Sequence, residues 1–166
     1  SVILTGASGS GRNAEVASIK SVLCQTWSDW ELLVPRMPTD EIGLDARVRT
    51  IPCNPEASFP AAAISAARGE WIVWLAAGDC LPNWALTQYA SCVREDGEAG
   101  ILYGDHDHFD AEGGRTNPWF KPQWNQELAL AQDYFSAACL MRAQLACDAL
   151  RAVPAEEAHP YALALS

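Results

Sequence analysis

Basic residues are scarce in this sequence. Eleven Lys and Arg stand against 21 Asp and Glu, for a formal net charge of −10 and a pI near 4.6. A surface of that sign repels a phosphate backbone, which excludes nucleic acid as a partner; an anionic ligand would need a metal ion or locally concentrated Arg and Lys. Zinc-site spacing is absent as well. The six cysteines (24, 53, 80, 92, 139 and 147) form no CxxC pair and have no His at ligand spacing. They read as reduced core thiols, and the compartment as cytoplasmic. No apolar run approaches the roughly 20 residues of a membrane helix, and no secretory signal opens the sequence. Repeats and low-complexity segments are missing too. What remains is 166 residues, 49% of them apolar, in which seven Trp compensate for abundant Ala. That is enough for one domain with its own core. Ser1 begins inside a strand-like pattern and Ser166 ends inside a helix-like one, so 1–166 reads as a single domain excised from a longer protein.

The centre of the pattern is Trp71-Ile72-Val73-Trp74-Leu75, five bulky apolar residues bounded by Gly69 and by Gly78-Asp79. Such a run suits a strand buried on both faces, as in a parallel sheet. Asp79 then falls at the carboxyl end of the strand, where open α/β sheets bind ligands; the plainer alternative is a turn former or helix cap. Val2 to Thr5, Trp30 to Val34, Val48 to Ile51, Gly100 to Tyr103 and Ala137 to Met141 read as further strands. Helices are expected over Asn13–Trp27 with Asn13 as N-cap, Ala57–Ala67, Asn83–Arg94, Gln126–Ala131 and Ala143–Leu150. Pro35 to Leu44 reads as loop, and so does the stretch from the turn at Gly113-Gly114 through Pro118 and Pro122. Alternation of strand and helix through the first two-thirds argues for a doubly wound α/β sheet.

The glycine run Gly6-Ala7-Ser8-Gly9-Ser10-Gly11 after the first strand matches the opening of a dinucleotide site and nearly matches a phosphate loop. Arg12-Asn13 replace the Lys and hydroxyl of the phosphate loop, however. No acidic residue closes the second strand, and no Tyr is followed four residues later by Lys. A plain turn is the better reading.

Three stretches in register resemble family 2 glycosyltransferases of the GT-A fold. Ser21-Val22-Leu23-Cys24-Gln25-Thr26 with Glu31-Leu32 resembles the family's SVLxQTxxxxEL. Ala67-Arg68-Gly69-Glu70-Trp71 resembles its ArGEy. Tyr103-Gly104-Asp105-His106-Asp107 through Phe120-Lys121-Pro122-Gln123-Trp124, with Tyr134 beyond, resembles the bacterial YsDeD...FKPdW pattern. The resemblance implies a GT-A (Rossmann-like), mostly parallel sheet flanked by helices on both faces. It also implies inverting transfer of a sugar from a nucleotide-sugar donor, UDP-type, to a glycan acceptor. A divalent metal (Mn or Mg) would neutralise the diphosphate. By the same resemblance Asp79 is the metal ligand. Asp79, Arg68 and Lys121 serve the donor, and Asp105, His106 and Asp107 are the catalytic candidates. Arg115 is a further group that could face the diphosphate, and Trp119, Phe120 and Trp124 could stack on a sugar or simply pack.

The sequence also departs from the family. Pro35-Arg36 stand where a nucleotide-recognising carboxylate is usual, with Asp40 and Glu41 as poor substitutes. Pro60-Ala61 replace an Arg-Asn pair. Ala76-Ala77-Gly78-Asp79 keeps one acid of the usual DADD or DAGD. His159-Pro160 occupy the place of the acidic pair that supplies the general base. Two readings therefore stand: a working glycosyltransferase with a rearranged site and bound metal, or a catalytically silent GT-A domain with no cofactor. The silent domain would serve glycan binding or protein docking in a larger carbohydrate-assembly protein.

Overall fold

The computed structural model describes residues 1–6, 11–36, 45–53, 58–110 and 112–166. Most of the glycine run and both Asp40 and Glu41 lie outside the described residues. In chain order the elements are β1 (Val2–Thr5), α1 (Arg12–Leu23), β2 (Leu32–Val34), β3 (Val48–Thr50), α2 (Phe59–Ala66), β4 (Trp71–Ala76) and α3 (Ala85–Glu95). After these come β5 (Ile101–Leu102), β6 (His106–Phe109), β7 (Arg115–Trp119), α4 (Gln126–Ala131), β8 (Leu140–Arg142), α5 (Ala143–Ala149) and α6 (Pro160–Leu165).

Six strands form one sheet in the order β3-β2-β1-β4-β8-β5. The pairs β2–β3, β1–β2 and β1–β4 are parallel, and β8 runs antiparallel to both of its neighbours. The expected mostly parallel α/β sheet is therefore the one observed. Alternation of side chains explains the continuous apolar run in β4. Val73 and Leu75 join Val2, Leu4, Leu32 and Val34 against α1 and α3. Ile72 and Trp74 join Ile3 and Leu33 against α2, α5 and α6. Helices thus cover both faces. A smaller cluster of Ala129, Tyr134 and Phe135 lies beside Tyr103 and Tyr161.

Several expectations are corrected. The first helix starts at Arg12, with Gly11 as its N-cap and no side-chain cap bond, so Asn13 lies inside it. It stops at Leu23, because the Gln25 side chain turns back to bond the Ser21 carbonyl (3.0 Å) and the Pro82 carbonyl (2.7 Å). The core-thiol reading holds for Cys139 alone; all six cysteines are free, with Cys24 and Cys53 exposed. The stretch from the Gly113-Gly114 turn through Pro118, expected as loop, contains β7, which pairs with β6 in a two-stranded ribbon. Among the described residues no helix is long and apolar enough to cross a membrane.

Glu31 ties the amino ends of the strands together. Its carboxylate accepts bonds from Ser1 Oγ (2.6 Å), from the Arg68 backbone N–H (2.6 Å) and from the Arg49 guanidinium. Burial pushes this carboxyl up, but those donors outweigh it and the net pKa is lowered. A carboxylate depressed on folding adds stability above its unfolded pKa, and the gain disappears as pH falls through the folded pKa. Thermal melts of Glu31→Gln should therefore fall below wild type at neutral pH and converge with it in acid.

Candidate functional site

The sheet reverses its winding between β1 and β4, and the crevice at a switch point lies at the carboxyl ends of the strands. Asp79 stands there, on a turn built by α1. The Ala77 N–H bonds the Thr5 carbonyl at 2.9 Å. Gly78 has φ +108°, a conformation suited to glycine, and its N–H donates to Ser18 Oγ at 2.9 Å. Ser21 Oγ accepts from the Leu81 N–H at 3.1 Å. Gln25, only 8% exposed, accepts from the Leu86 N–H at 3.0 Å. Ser18, Ser21 and Gln25 thus fix the Asp79 turn from behind.

The ribbon brings the next groups to Asp79. Asp110 makes its turn, accepting from the Glu112 N–H (3.1 Å) and the Gly114 N–H (2.6 Å). Within the ribbon Asp107 pairs with Arg115 at 2.5 Å, and the His106 ring meets Trp119 at 5.0 Å and His108 at 5.8 Å between centroids. Asp105 accepts the Lys121 backbone N–H at 2.8 Å, and Tyr103 OH donates to the Pro122 carbonyl at 2.9 Å. Two of the three catalytic candidates therefore hold the ribbon in place. His106 and Lys121 differ: the His106 Nδ1 and Lys121 Nζ atoms are buried with no hydrogen-bond partner among the described residues.

Charges here act on one another. Asp79 is exposed at the rim, yet crowding by protein pushes its pKa up, with His106 and His108 pulling it back. Burial lowers the His106 pKa, helped by Lys121 and His108. Burial also lowers that of Lys121, against the opposing pull of Cys139, Asp133 and Asp105. Cys139, beneath, is pushed up to about 12 by burial. Among the described residues no three His, Cys, Asp or Glu side chains gather closely enough to hold a metal ion by themselves.

Arg68 is not brought to this end. It precedes β4 whereas Asp79 follows it, and its backbone belongs to the Glu31 clamp. There it lines a cleft of about 660 Å³ with Arg47, Arg49, Arg94, Trp27 and Trp30. Arg47 stacks on Trp30 at 3.7 Å and Arg94 on Trp27 at 5.5 Å. His159 caps α6, its Nδ1 accepting from the Ala162 N–H at 3.4 Å. His108 joins the site without a motif to mark it; its spacing of two from His106 on one strand is the available signal. The exposed rings Trp119, Phe120 and Trp124 flank Lys121, Phe120 at 76% exposure.

The chain has a GT-A-like fold, a mixed, mostly parallel six-stranded sheet with helices. Over 98% of its length it matches the S. aureus TarS 1–349 structure, at TM-score 0.64 and 16% identity, and it spans 52% of that chain. A second TarS structure, in complex with UDP-GlcNAc, matches over 89% of this chain at TM-score 0.63 and 13% identity. The same layout is shared by 2-C-methyl-D-erythritol 4-phosphate cytidylyltransferase from Thermus thermophilus, at TM-score 0.54 and 12% identity, over 99% of this chain and 83% of that one. In sequence, 129 residues are 30% identical to the O-antigen biosynthesis protein RfbC of Myxococcus xanthus. That match covers 70% of this chain and 10% of the much longer relative. No protein-family profile matches the chain.

Proposed function

We propose that the domain binds a nucleotide-sugar donor of the UDP type at the carboxyl ends of β1 and β4, as a glycosyltransferase domain of a longer carbohydrate-assembly protein. The observation that carries this reading is Asp79 at the switch point, close enough to His106 and His108 to feel their charge, in a fold whose neighbour TarS has been crystallised with UDP-GlcNAc. In this reading Lys121 supplies positive charge to the diphosphate, and the exposed Trp119, Phe120 and Trp124 rings offer apolar faces to the sugars. Inverting transfer to a glycan also needs a base for the acceptor proton. Asp107 would have to leave Arg115 to serve, and Asp105 would have to release the Lys121 backbone.

That engagement of the acids favours a second reading, a domain that binds without turning over. The arginine–tryptophan cleft at the opposite end is the surface such a docking or glycan-binding role would use. Calorimetric titration with UDP and UDP-GlcNAc should give saturable heat, with Kd from about micromolar to millimolar. No heat with uridine, guanosine, cytidine or thymidine diphosphates at millimolar concentration would remove the donor-site reading. Binding without release of UDP in the presence of glycan acceptors would select the silent domain.

A further inference from the structure

Arginine gathers at the end of the sheet away from Asp79. Four of the chain's 11 Lys and Arg, namely Arg47, Arg49, Arg68 and Arg94, line the cleft of about 660 Å³ at the amino ends of the strands. Two of them are engaged: Arg47 pairs with Asp45 at 2.7 Å, and Arg49 pairs with Glu31. Among the described residues no salt bridge joins Arg68 or Arg94 to an acid. The link from Arg68 to Glu31 runs through the backbone N–H, and the side chain is exposed. Arg94 lies over the Trp27 ring at 5.5 Å. A guanidinium held on a ring keeps its N–H edge for a carboxylate, which it can bind through two parallel bonds.

The acids on the same walls differ from one another. Glu31 is taken up by Ser1, Arg49 and the Arg68 backbone, and Glu70 pairs with Arg142 at 3.2 Å. Asp29 receives the Trp27 indole N–H on its backbone carbonyl at 3.0 Å, and its carboxylate joins no salt bridge among the described residues. The cleft therefore presents two uncommitted guanidiniums and one uncommitted carboxylate. A phosphate or an acidic peptide would meet Asp29 as a repelling neighbour. A ligand that carries both carboxylates and hydroxyl donors matches all three groups. Size points the same way: a volume within roughly 300–1,000 Å³ suits a small ligand, whereas a peptide is usually taken along a strand edge or a long groove. The half-buried rings of Trp27, Trp71 and Tyr89 add apolar surface between the charges. We propose that this cleft binds a short acidic saccharide, its carboxylates held by Arg68 and Arg94 and its hydroxyls received by Asp29, at a site separate from the donor site. The choice of a sugar rests on the carbohydrate-assembly reading above. The charge pattern does not, and neither requires the donor site to be occupied.

The test is calorimetric titration of the 166-residue chain with trigalacturonate, with the same trisaccharide methyl-esterified at its carboxyls, and with hexaglutamate. Wild type, Arg68→Met, Arg94→Met and Arg94→Lys are compared, with far-UV circular dichroism confirming the fold of each and UDP titrated as a control for the opposite end. Trigalacturonate should bind wild type about tenfold or more tighter than its ester, and more weakly as NaCl rises from about 50 to 300 mM. Each Met variant should lose about three- to tenfold in that affinity, with part recovered in Arg94→Lys and UDP binding unchanged. Equal affinity for the ester, or no loss in either folded Met variant, would overturn the role of the guanidiniums. Hexaglutamate binding as tightly as the trisaccharide would overturn the saccharide in favour of an acidic peptide. Silence toward trigalacturonate in protein that still binds UDP would remove the cleft site and leave the donor-site reading standing. Trigalacturonate binding in protein silent toward UDP would do the reverse.

Discussion

Truncation of Phe135 to alanine is expected to destabilise the domain by about 3–5 kcal/mol, the usual range for a buried Phe. The ring is 0% exposed. It meets Trp124 at 5.4 Å, Tyr134 at 5.7 Å, Tyr161 at 5.9 Å and Tyr103 at 6.2 Å between centroids. These partners come from four separate stretches, so a cavity here cannot close by a shift of one helix. The partners are also fixed by their hydroxyls. Tyr134 OH accepts the Asn125 N–H at 3.0 Å, Tyr161 OH donates to the Ala129 carbonyl at 2.8 Å, and Tyr103 OH reaches Pro122. The last contact sits next to Lys121. The melting temperature should drop by roughly 10 °C, and UDP affinity should fall with it as the Lys121 segment loosens. Calorimetry of the variant checks the first effect, and titration well below its melting point checks the second.

The second large effect is expected at Gln25. Helix α3 begins at Ala85 behind Trp84, whose side chain makes no cap bond. The Leu86 N–H, an orphan donor of the first turn, is satisfied by the Gln25 amide oxygen from the segment just past α1. The same amide donates to the Pro82 carbonyl. Gln25→Ala leaves the buried Leu86 N–H without a partner, while the Pro82 carbonyl keeps the Ala85 N–H, for about 1–3 kcal/mol. Urea denaturation should show a lower midpoint with an unchanged slope. A Gln25→Ala variant as stable as wild type would mean that water replaces the amide.

These residues show how much the sequence made legible. The apolar run in β4 and the helical spacing before Cys24 announce the sheet and α1, because burial on two faces and on one stripe leaves distinct periods. The ribbon β6–β7 left no such trace. It covers no core; an Asp110 turn, an ion pair and a His–Trp contact hold it, and Pro118 within β7 looks like a breaker. At the site, Asp79, His106 and Lys121 were readable as chemistry-bearing residues near strand ends. Arg68 was misplaced, because a motif records that a residue matters without saying whether its side chain or its backbone does the work. Here the backbone N–H serves Glu31. The engagement of Asp105 and Asp107 was likewise invisible, since spacing alone does not reveal which donors a carboxylate will meet.

The sheet order has a consequence for how the chain assembles. Strand β1 is hydrogen-bonded on both edges, to β2 on one side and to β4 on the other. Its β4 edge is completed only by residues 71–76, and β4 in turn waits for β8 at residues 140–142. During synthesis the most apolar strands therefore pass through a period with one open edge, the state most prone to pairing with a neighbouring chain. Vectorial folding of this domain should reach protease resistance in a single late step, once residue 142 has cleared the ribosome, rather than in increments.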